Sequence, residues 1–193
     1  MENALPVNIN LGCGDQQIIN HIGLDLLSQA GVDVICNLEH PLPLATGIVD
    51  SVYAKSLLEH IDNLEALLKE VQRVLKLNGT FYIYVPHWSN PFYYSDYTHI
   101  RFFGLATFDY FINPSTQIYR RVPVYTELQY EVNHVRLLFE SPFRLLRWIM
   151  KIFQWAINQN VGLQTFYEFH ISHLIPCYAI EFILKRTDTQ GDD

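Results

Sequence analysis

Residues 7–14 have the sequence VNINLGCG, and our prediction of the fold starts from this segment. Apolar residues at every second position of 7–11 predict a short β-strand, which ends at Gly12-Cys13-Gly14. Because glycine has no side chain, such a loop lets backbone N–H groups approach a ligand closely. A Gly-x-Gly turn alone is weak evidence, so its meaning depends on the segments around it.

Short strands recur after this loop. We predict them at 22–25, 32–36, 49–54, 80–85, 125–132 and 179–186. Before the strand at 80–85, Asp62 and Glu65 form a capping-box pattern, and apolar residues at helical spacing continue to Leu75, with a stop at Asn78-Gly79. Strands that alternate with helices or turns favour βαβ units. We therefore expect a doubly wound α/β fold with a mostly parallel, Rossmann-like sheet and an antiparallel last strand.

The chain has 193 residues, 49% of them hydrophobic, which predicts a single folded domain over 1–193. We divide it into a cofactor-binding half, 1–86, and a substrate-covering half, 87–193. The net charge of −7 argues against a nucleic-acid binder, although residues 101–151 hold seven bases and four acids. Three cysteines in no zinc-binding pattern, and a start without a signal-peptide pattern, favour a cytoplasmic protein.

Polar residues stand where the first strands end. Asp25 ends the second predicted strand, 11 residues after Gly14, where an acid in doubly wound folds accepts hydrogen bonds from two ribose hydroxyls. Asn37 follows the third strand and can accept from an adenine amino group, and Leu38 can pack on the ring. The three strand ends together predict a nucleoside site. A structural turn at Gly14 and an ordinary turn aspartate at Asp25 are the alternatives.

Five motifs in this order resemble the class I S-adenosylmethionine-dependent methyltransferases, and most of all the small bacterial type-11 group often associated with polysaccharide or lipid glycan modification. They lie at 10–15 (NLGCGD), 24–25 (LD), 41–44 (PLPL), 58–60 (LEH) and 70–79 (EVQRVLKLNG). The resemblance covers roughly residues 7–112. It implies that S-adenosylmethionine is the cofactor and that the chain transfers a methyl group to an oxygen or nitrogen of an acceptor, namely a small molecule, a sugar or a lipid-linked glycan.

The resemblance also implies roles for single residues. These are Gly12 and Gly14 under the methionine part, Asp25 at the ribose, Asn37 and Leu38 at adenine, and Ser56 beside the transferable methyl group. Asn10 and Asn37 stand where many members carry an acid, which leaves a catalytically inactive methyltransferase-like binding or scaffold protein as the alternative. A nicotinamide-dependent oxidoreductase fits less well, because the loop lacks a third glycine.

A histidine-rich and aromatic segment follows the fifth predicted strand. Its stretch at 96–103, DYTHIRFF, also resembles the methyltransferase group. Methyl transfer needs a base near neutral pH, so His87 and His99 are the candidate catalytic bases, with Asp96 as partner. Two alternatives remain: a zinc or manganese site of the same three residues, and an aspartate–histidine pair that only fixes a loop, with Arg101 bridging. We assign no metal.

Residues 142–160 form an amphipathic helical pattern. The polar stripe consists of Arg144, Arg147, Lys151, Gln154 and Asn158, opposite a wide apolar arc with tryptophans at its border. A cationic stripe with bordering tryptophans is typical of an interfacial helix, which would place the protein at the inner membrane face. Packing on the sheet or on the second subunit of a homodimer is the alternative.

Overall fold

The computed structural model describes residues 5–123 and 125–188. The strands are β1 (Asn8–Leu11), β2 (Ile22–Asp25), β3 (Val34–Ile35), β4 (Val49–Lys55), β5 (Leu75–Pro86), β6 (Tyr130–Leu138) and β7 (Ala179–Arg186). The helices are α1 (Leu64–Val74), α2 (Arg144–Ile157) and α3 (Val161–His170). Short 3-10 turns lie at Leu58–His60, Tyr93–Ser95, Thr107–Phe111 and Pro114–Thr116.

The strands form a seven-stranded sheet in the order β3-β2-β1-β4-β5-β7-β6. The pairs β1–β2, β1–β4, β2–β3 and β4–β5 are parallel. Strand β7 runs antiparallel to both β5 and β6. The predicted fold class, a mostly parallel Rossmann-like sheet with an antiparallel last strand, is therefore confirmed. Since the carboxyl ends of β1 to β4 meet at one edge, the loops that follow these strands lie side by side there.

Helix α1 covers one face of this sheet. Its buried residues Leu67, Leu68 and Val71 join the apolar core together with Phe81 and Ile83 of β5. Burial alternates along β5, because successive side chains of a strand point to opposite faces. The spacing of apolar residues therefore predicted the buried face of α1 correctly.

Both ends of α1 differ from the prediction. The N-cap is Asn63, whose Oδ1 accepts from the N–H of Ala66 at 3.1 Å, and not Asp62. The helix ends at Val74, because Leu75 adopts an extended conformation and pairs with Val49 at the start of β5. The left-handed turn at Asn78 (φ 64°) lies inside β5, so tertiary pairing overrides this local helix-stop signal.

Among the described residues, turns and not a helix connect β1 to β2, in agreement with the short gap in the sequence. The N–H of Gly12 donates to Leu24 O at 2.8 Å, and the N–H of Gly31 donates to Gly14 O at 3.1 Å. Backbone hydrogen bonds from neighbouring segments therefore hold the glycine loop.

The second half departs further from the prediction. The strand expected at 125–132 is β6, which begins at Tyr130 and continues to Leu138. A register shift between Val132 and His134 interrupts the alternation of apolar residues, which hid the second part of the strand. The helix expected at 142–160 is α2, and α3 follows it as a second helix that we did not predict. Both lie between β6 and β7, as expected for an insertion. In the part of the chain that is described, every helix is too short or too polar to cross a membrane.

Candidate functional site

The glycine loop and Asp25 meet at the carboxyl edge of the sheet. Gly12 (φ 62°) and Gly14 (φ 52°) adopt the left-handed backbone conformation that favours glycine. Asp25 Oδ2 accepts from the N–H of Gly14 at 2.9 Å, and Oδ1 accepts from the N–H of Leu27 at 3.2 Å. The half-buried carboxylate is thus held in place by backbone donors, and each oxygen keeps a lone pair for a ligand.

Asn37 and Leu38 follow β3 at the same edge. Asn37 is exposed, and its Oδ1 accepts from the N–H of Glu39 at 2.9 Å in a local turn. The side chain of Leu38 is only 7% exposed and belongs to the apolar core. The structure therefore places Asn37 where a ligand can reach it, whereas most of Leu38 is used for packing.

Ser56 follows β4 and links this edge to a cavity. It has φ 51°, which is uncommon for a residue with a side chain, and its N–H donates to Tyr84 O at 2.8 Å. Backbone strain of this kind is found most often at functional sites. Ser56 also lines a cavity of about 620 Å³ that opens beside β5. We call it the acceptor cavity; its other lining residues are Glu59, His60, Tyr84, Pro86, Asn90, Phe92, Tyr93, Ser95, Asp96, Tyr97, His99, Tyr178 and Ala179.

Three side chains that can ligate a metal ion face each other in the acceptor cavity. Glu59, His60 and His99 each bring one side-chain N or O atom to within 4.8 Å of the others. Glu59 is 1% exposed, and its Oε2 has no hydrogen-bond partner. Burial away from water raises the pKa of Glu59 to about 7, and the charge of Asp96 adds to that rise. The sequence showed Glu59-His60 only as a motif, and did not predict that His99 would join it.

Asp96 is held by Thr98 more than by His99. Its Oδ1 accepts from Thr98 Oγ1 at 2.6 Å and from the Thr98 N–H at 2.9 Å. These hydrogen bonds, followed by the nearby histidines, lower the pKa of Asp96. The distance from Asp96 Oδ2 to His99 Nε2 is 3.6 Å, longer than a hydrogen bond. Arg101 donates instead to the carbonyls of Ile61 and Asp62, so it fixes the segment to the turn at 58–60 and does not bridge the pair.

His87 lies apart from this group. It is fully buried, and its Nδ1 accepts from the N–H of Ser89 at 3.1 Å. Its Nε2 therefore carries the proton and donates to Glu168 Oε2 at 3.1 Å. The interpretation that His87, Asp96 and His99 assemble a metal site is wrong, because both ring nitrogens of His87 are occupied in the core.

A second cavity of about 540 Å³ adjoins the acceptor cavity, with which it shares Phe92 and Tyr178. Its lining includes Glu140 and two cations of α2, Arg147 and Lys151. We call it the basic cavity. It places positive charge beside the candidate reaction site.

The uncharged polar residues of α2 form hydrogen bonds with the backbone at the end of β6, whereas its cations Arg147 and Lys151 line the basic cavity. Asn158 Oδ1 accepts from the N–H of Leu137 in β6 at 2.8 Å, and Gln154 Oε1 accepts from the N–H of Phe139, directly after β6, at 3.0 Å. Much of the apolar arc faces solvent: Trp148 is 60% exposed and Trp155 68%. The other exposed apolar side chains of α2 and α3 are Leu145, Leu146, Ile149, Ile152, Val161, Leu163, Phe166 and Phe169. We call these residues the apolar surface. The interpretation that the arc packs within the chain holds for Ile157 and Phe153, which contact the apolar core. It is wrong for the four exposed residues Leu145, Leu146, Ile149 and Ile152.

The fold and one family model agree on what kind of domain this is. The type-11 model described as "Methyltransferase domain" matches residues 19–83. The chain has the class I methyltransferase fold. A methyltransferase from Archaeoglobus fulgidus has a similar structure (17% identity, TM-score 0.58, 94% of this chain and 86% of that chain). S-adenosylmethionine is the cofactor of this class, and the prediction of this cofactor is confirmed.

Two further methyltransferase structures resemble the domain over most of its length. One comes from Mesorhizobium loti (15% identity, TM-score 0.54, 93% of this chain and 90% of that chain). The other comes from Thermotoga maritima and is described as a possible histamine N-methyltransferase (15% identity, TM-score 0.54, 97% of this chain and 84% of that chain). At these identities the likeness concerns the fold. No curated protein sequence matches the chain.

The methyltransferase domain offers groups that fit S-adenosylmethionine. The Asp25 carboxylate has lone pairs for two ribose hydroxyls, and the Asn37 amide is exposed for adenine. A side chain at Gly12 would be strained, because φ is 62° and a Cβ there would lie 2.8 Å from a methyl carbon and 3.2 Å from the Cβ of Leu57. Asn10, which stands where an acid is frequent, is 2% exposed and donates to Gln16 O at 3.3 Å, so it braces this loop from within.

Proposed function

We propose that this protein transfers the methyl group of S-adenosylmethionine to an oxygen or nitrogen of a sugar that is carried on a phosphate-linked lipid. The observation that carries the proposal is the position of Ser56. It follows the strand beside the glycine loop and lines the acceptor cavity, so that the cofactor edge and the cavity adjoin there.

In the proposed complex the cofactor spans the ends of β1 to β4. Gly12 and Gly14 lie under its methionine part, and Asp25 binds the two ribose hydroxyls. At the adenine end, Asn37 accepts from the amino group, and the exposed edge of Leu38 borders the ring. Ser56 lies beside the methyl group, which faces the acceptor cavity.

The reaction is a single displacement. A lone pair of the acceptor oxygen or nitrogen attacks the methyl carbon, the carbon–sulfur bond breaks, and S-adenosylhomocysteine leaves with that electron pair. The sulfonium is already a reactive donor, so the protein contributes chiefly alignment. The acceptor proton must go to a base.

We assign the base to His99 and not to His87. His99 Nδ1 lies 3.0 Å from Tyr93 O and donates to it, which leaves the lone pair on Nε2 facing the acceptor cavity. Asp96, 3.6 Å away, stabilises the positive charge that His99 gains with the proton. His87 is buried and already bound at both nitrogens, so it supports the fold.

The basic cavity supports the choice of a phosphate-linked acceptor. Arg147 and Lys151 can bind a phosphate, while the attached sugar extends past Phe92 and Tyr178 into the acceptor cavity. A neutral small molecule would not need these two cations.

The apolar surface supports a lipid-bound acceptor and a peripheral position at an anionic bilayer. Between Glu140 and Glu168 the sequence holds three bases, Arg144, Arg147 and Lys151, and no acid. A bilayer with negative headgroups complements these cations, and the exposed tryptophans suit its interface. The hydrocarbon tail of the acceptor would then stay in the membrane.

The proposal is tested by methyl transfer from radiolabelled S-adenosylmethionine to three acceptors that carry the same sugar. They are the polyprenyl-phosphate-linked sugar, the sugar 1-phosphate and the free sugar. We expect the highest kcat/KM for the lipid-linked form and the lowest for the free sugar, and we expect Arg147→Gln with Lys151→Gln to reduce that difference. Binding of S-adenosylhomocysteine without transfer to any of a panel of such sugars would instead indicate the inactive binding protein.

A further inference from the structure

The three metal-ligating side chains of the acceptor cavity, Glu59, His60 and His99, come from two segments that are fixed to each other. Glu59 and His60 lie on the 3-10 turn Leu58–His60, and His99 lies on the segment after Ser95. The N–H of Ile100 donates to Glu59 O at 2.9 Å, which joins the two segments next to the cluster. The ring centroids of His60 and His99 are 4.9 Å apart. The backbone therefore holds all three groups around one point.

The hydrogen bonds of the two histidines leave the same nitrogen free on each ring. The Oγ1 proton of Thr98 is donated to Asp96, so Thr98 Oγ1 accepts from His60 Nδ1 at 2.9 Å. His99 Nδ1 donates to Tyr93 O at 3.0 Å. Both Nε2 atoms then carry lone pairs. Histidines that bind metals have this arrangement, in which the other ring nitrogen donates to an oxygen that orients the ring.

Glu59 gives the second, independent indication of a ligand. Its carboxylate is buried, and Oε2 has no hydrogen-bond partner. A buried polar atom without a partner destabilises the fold and calls for an explanation. A positive ion bound beside it would supply the missing partner.

We propose that Glu59, His60 and His99 bind one divalent transition-metal ion in the acceptor cavity. Two imidazoles and one carboxylate suit zinc, manganese, iron(II) or cobalt. One side-chain N or O atom of each residue lies within 4.8 Å of the other two. In a tetrahedral site with bonds of about 2.1 Å the ligand atoms are about 3.4 Å apart, so side-chain rotations that move each atom by about 1 Å would form the site. The Asp96 carboxylate, 3.6 Å from His99 Nε2, adds negative charge beside the ion.

The site also defines the acceptor more closely, an extension that rests on the proposed function. Three protein ligands leave at least one position on the ion open, as in catalytic metal sites. An acceptor hydroxyl that occupies this position loses its proton more readily because the ion stabilises the alkoxide. Oxygen is then the methyl acceptor. When the ion is bound, His99 is its ligand and no longer the base, because the Nε2 lone pair is taken by the ion, and the hydroxyl proton leaves to solvent.

The experiment is a titration of the EDTA-treated 193-residue chain with Co²⁺, followed by calorimetry and by visible absorption. We expect one Co²⁺ per chain and a visible spectrum of nitrogen and oxygen ligation. Glu59→Gln and His99→Ala should each lower the affinity by at least about tenfold, since even residues that only orient a ligand change affinity 10–100-fold. His134→Ala is the matched control, because this exposed histidine on β6 is outside the cluster.

Equal Co²⁺ affinity in the wild type and Glu59→Gln would overturn the proposal, as would a thiolate-to-cobalt absorption band, which would place the ion at a cysteine. Melting curves show whether each variant is folded. S-adenosylhomocysteine binding is measured on the same samples. If it binds and Co²⁺ does not, the ion is excluded and methyl transfer with His99 as base remains. If Co²⁺ binds and S-adenosylhomocysteine does not, the proposed methyl transfer fails and the metal site stands.

Discussion

Asp25 Oδ2 accepts a 2.9 Å hydrogen bond from the N–H of Gly14, which ties the end of β2 to the loop after β1. The two residues are 11 positions apart in sequence: Asp25 is the last residue of β2, and Gly14 lies in the loop after β1, the strand that runs parallel beside it. This contact fixes the carboxylate at the edge of the sheet and leaves lone pairs on both oxygens. A ligand with a pair of hydroxyls would find its acceptor already oriented.

The first prediction concerns Asp25. S-adenosylhomocysteine should raise the melting temperature of the wild type, because a ligand that binds only the native state stabilises it. Asp25→Ala should abolish that rise, because the ribose hydroxyls lose their acceptor. Asp33→Ala is the matched control: Asp33 also accepts from a backbone N–H, that of Gly23 at 2.8 Å, but it lies before β3. An unchanged rise in Asp25→Ala would refute the assigned cofactor site.

A second prediction separates the two candidate histidines. His99→Ala should lose methyl transfer by about 10²–10⁴-fold, as expected for loss of a base or of a ligand of the ion that activates the acceptor, while its affinity for S-adenosylhomocysteine stays the same. His87→Ala should lower both together, because it leaves Glu168 without its histidine partner in the interior. Calorimetry and a turnover assay on the same preparations measure the two effects. Parallel loss of affinity and turnover in His99→Ala would assign that residue to structure.

The third prediction concerns stability and pH. Burial raises the pKa of Glu59 from its ordinary 4.5 to about 7, so the native state holds a proton that the unfolded chain has released. The resulting stabilisation is complete below about pH 4.5 and is lost as the pH rises through about 7. At about 1.4 kcal/mol per pH unit the loss is about 3 kcal/mol.

Glu59→Gln cannot ionise and should remove this dependence. In the presence of EDTA, urea unfolding should show the variant more stable than the wild type at pH 8 and similar to it at pH 5. Glu65→Gln provides the control, because Glu65 on α1 is a solvent-accessible carboxylate that pairs with Lys69. A wild type whose stability does not fall between pH 5 and 8 would contradict the prediction.

The fourth prediction concerns the apolar surface and its bases. Each base near an anionic bilayer contributes about 1 kcal/mol, so replacing Arg144, Arg147 and Lys151 by Gln should weaken vesicle binding by roughly a hundredfold. Co-sedimentation with vesicles of phosphatidylglycerol and phosphatidylcholine measures this, and added salt should reduce the difference.

The control for that experiment replaces the exposed bases Arg120, Arg121 and Arg136 by Gln, which makes the same change in net charge. It should bind anionic vesicles nearly as the wild type does. Equal wild-type binding to neutral and anionic vesicles at low salt would exclude the anionic bilayer. A dimer in solution that is disrupted by Trp148→Ser and Trp155→Ser would identify a second copy of the chain as the occupant of this surface.

Local pattern determined much of the first half of the chain. The strand at Ile22–Asp25, the buried face of α1 and the glycine loop depend on side-chain alternation, helical spacing and turn chemistry, and each of these is set by neighbours in sequence. The prediction of the cofactor class rests on an ordered set of such local motifs. Local pattern did not predict the end of α1 at Val74, because strand pairing competes with the helix there.

Which polar groups share a site depends on how distant segments pack, and the sequence pattern does not show it. His87 and His99 are equivalent candidates in sequence, yet one is bound inside the core and the other faces the acceptor cavity. Glu59 and His99 are far apart along the chain and meet because the N–H of Ile100 binds the carbonyl of Glu59. Contacts between distant segments depend on how the elements pack, and a one-dimensional pattern of hydrophobicity contains no term for them.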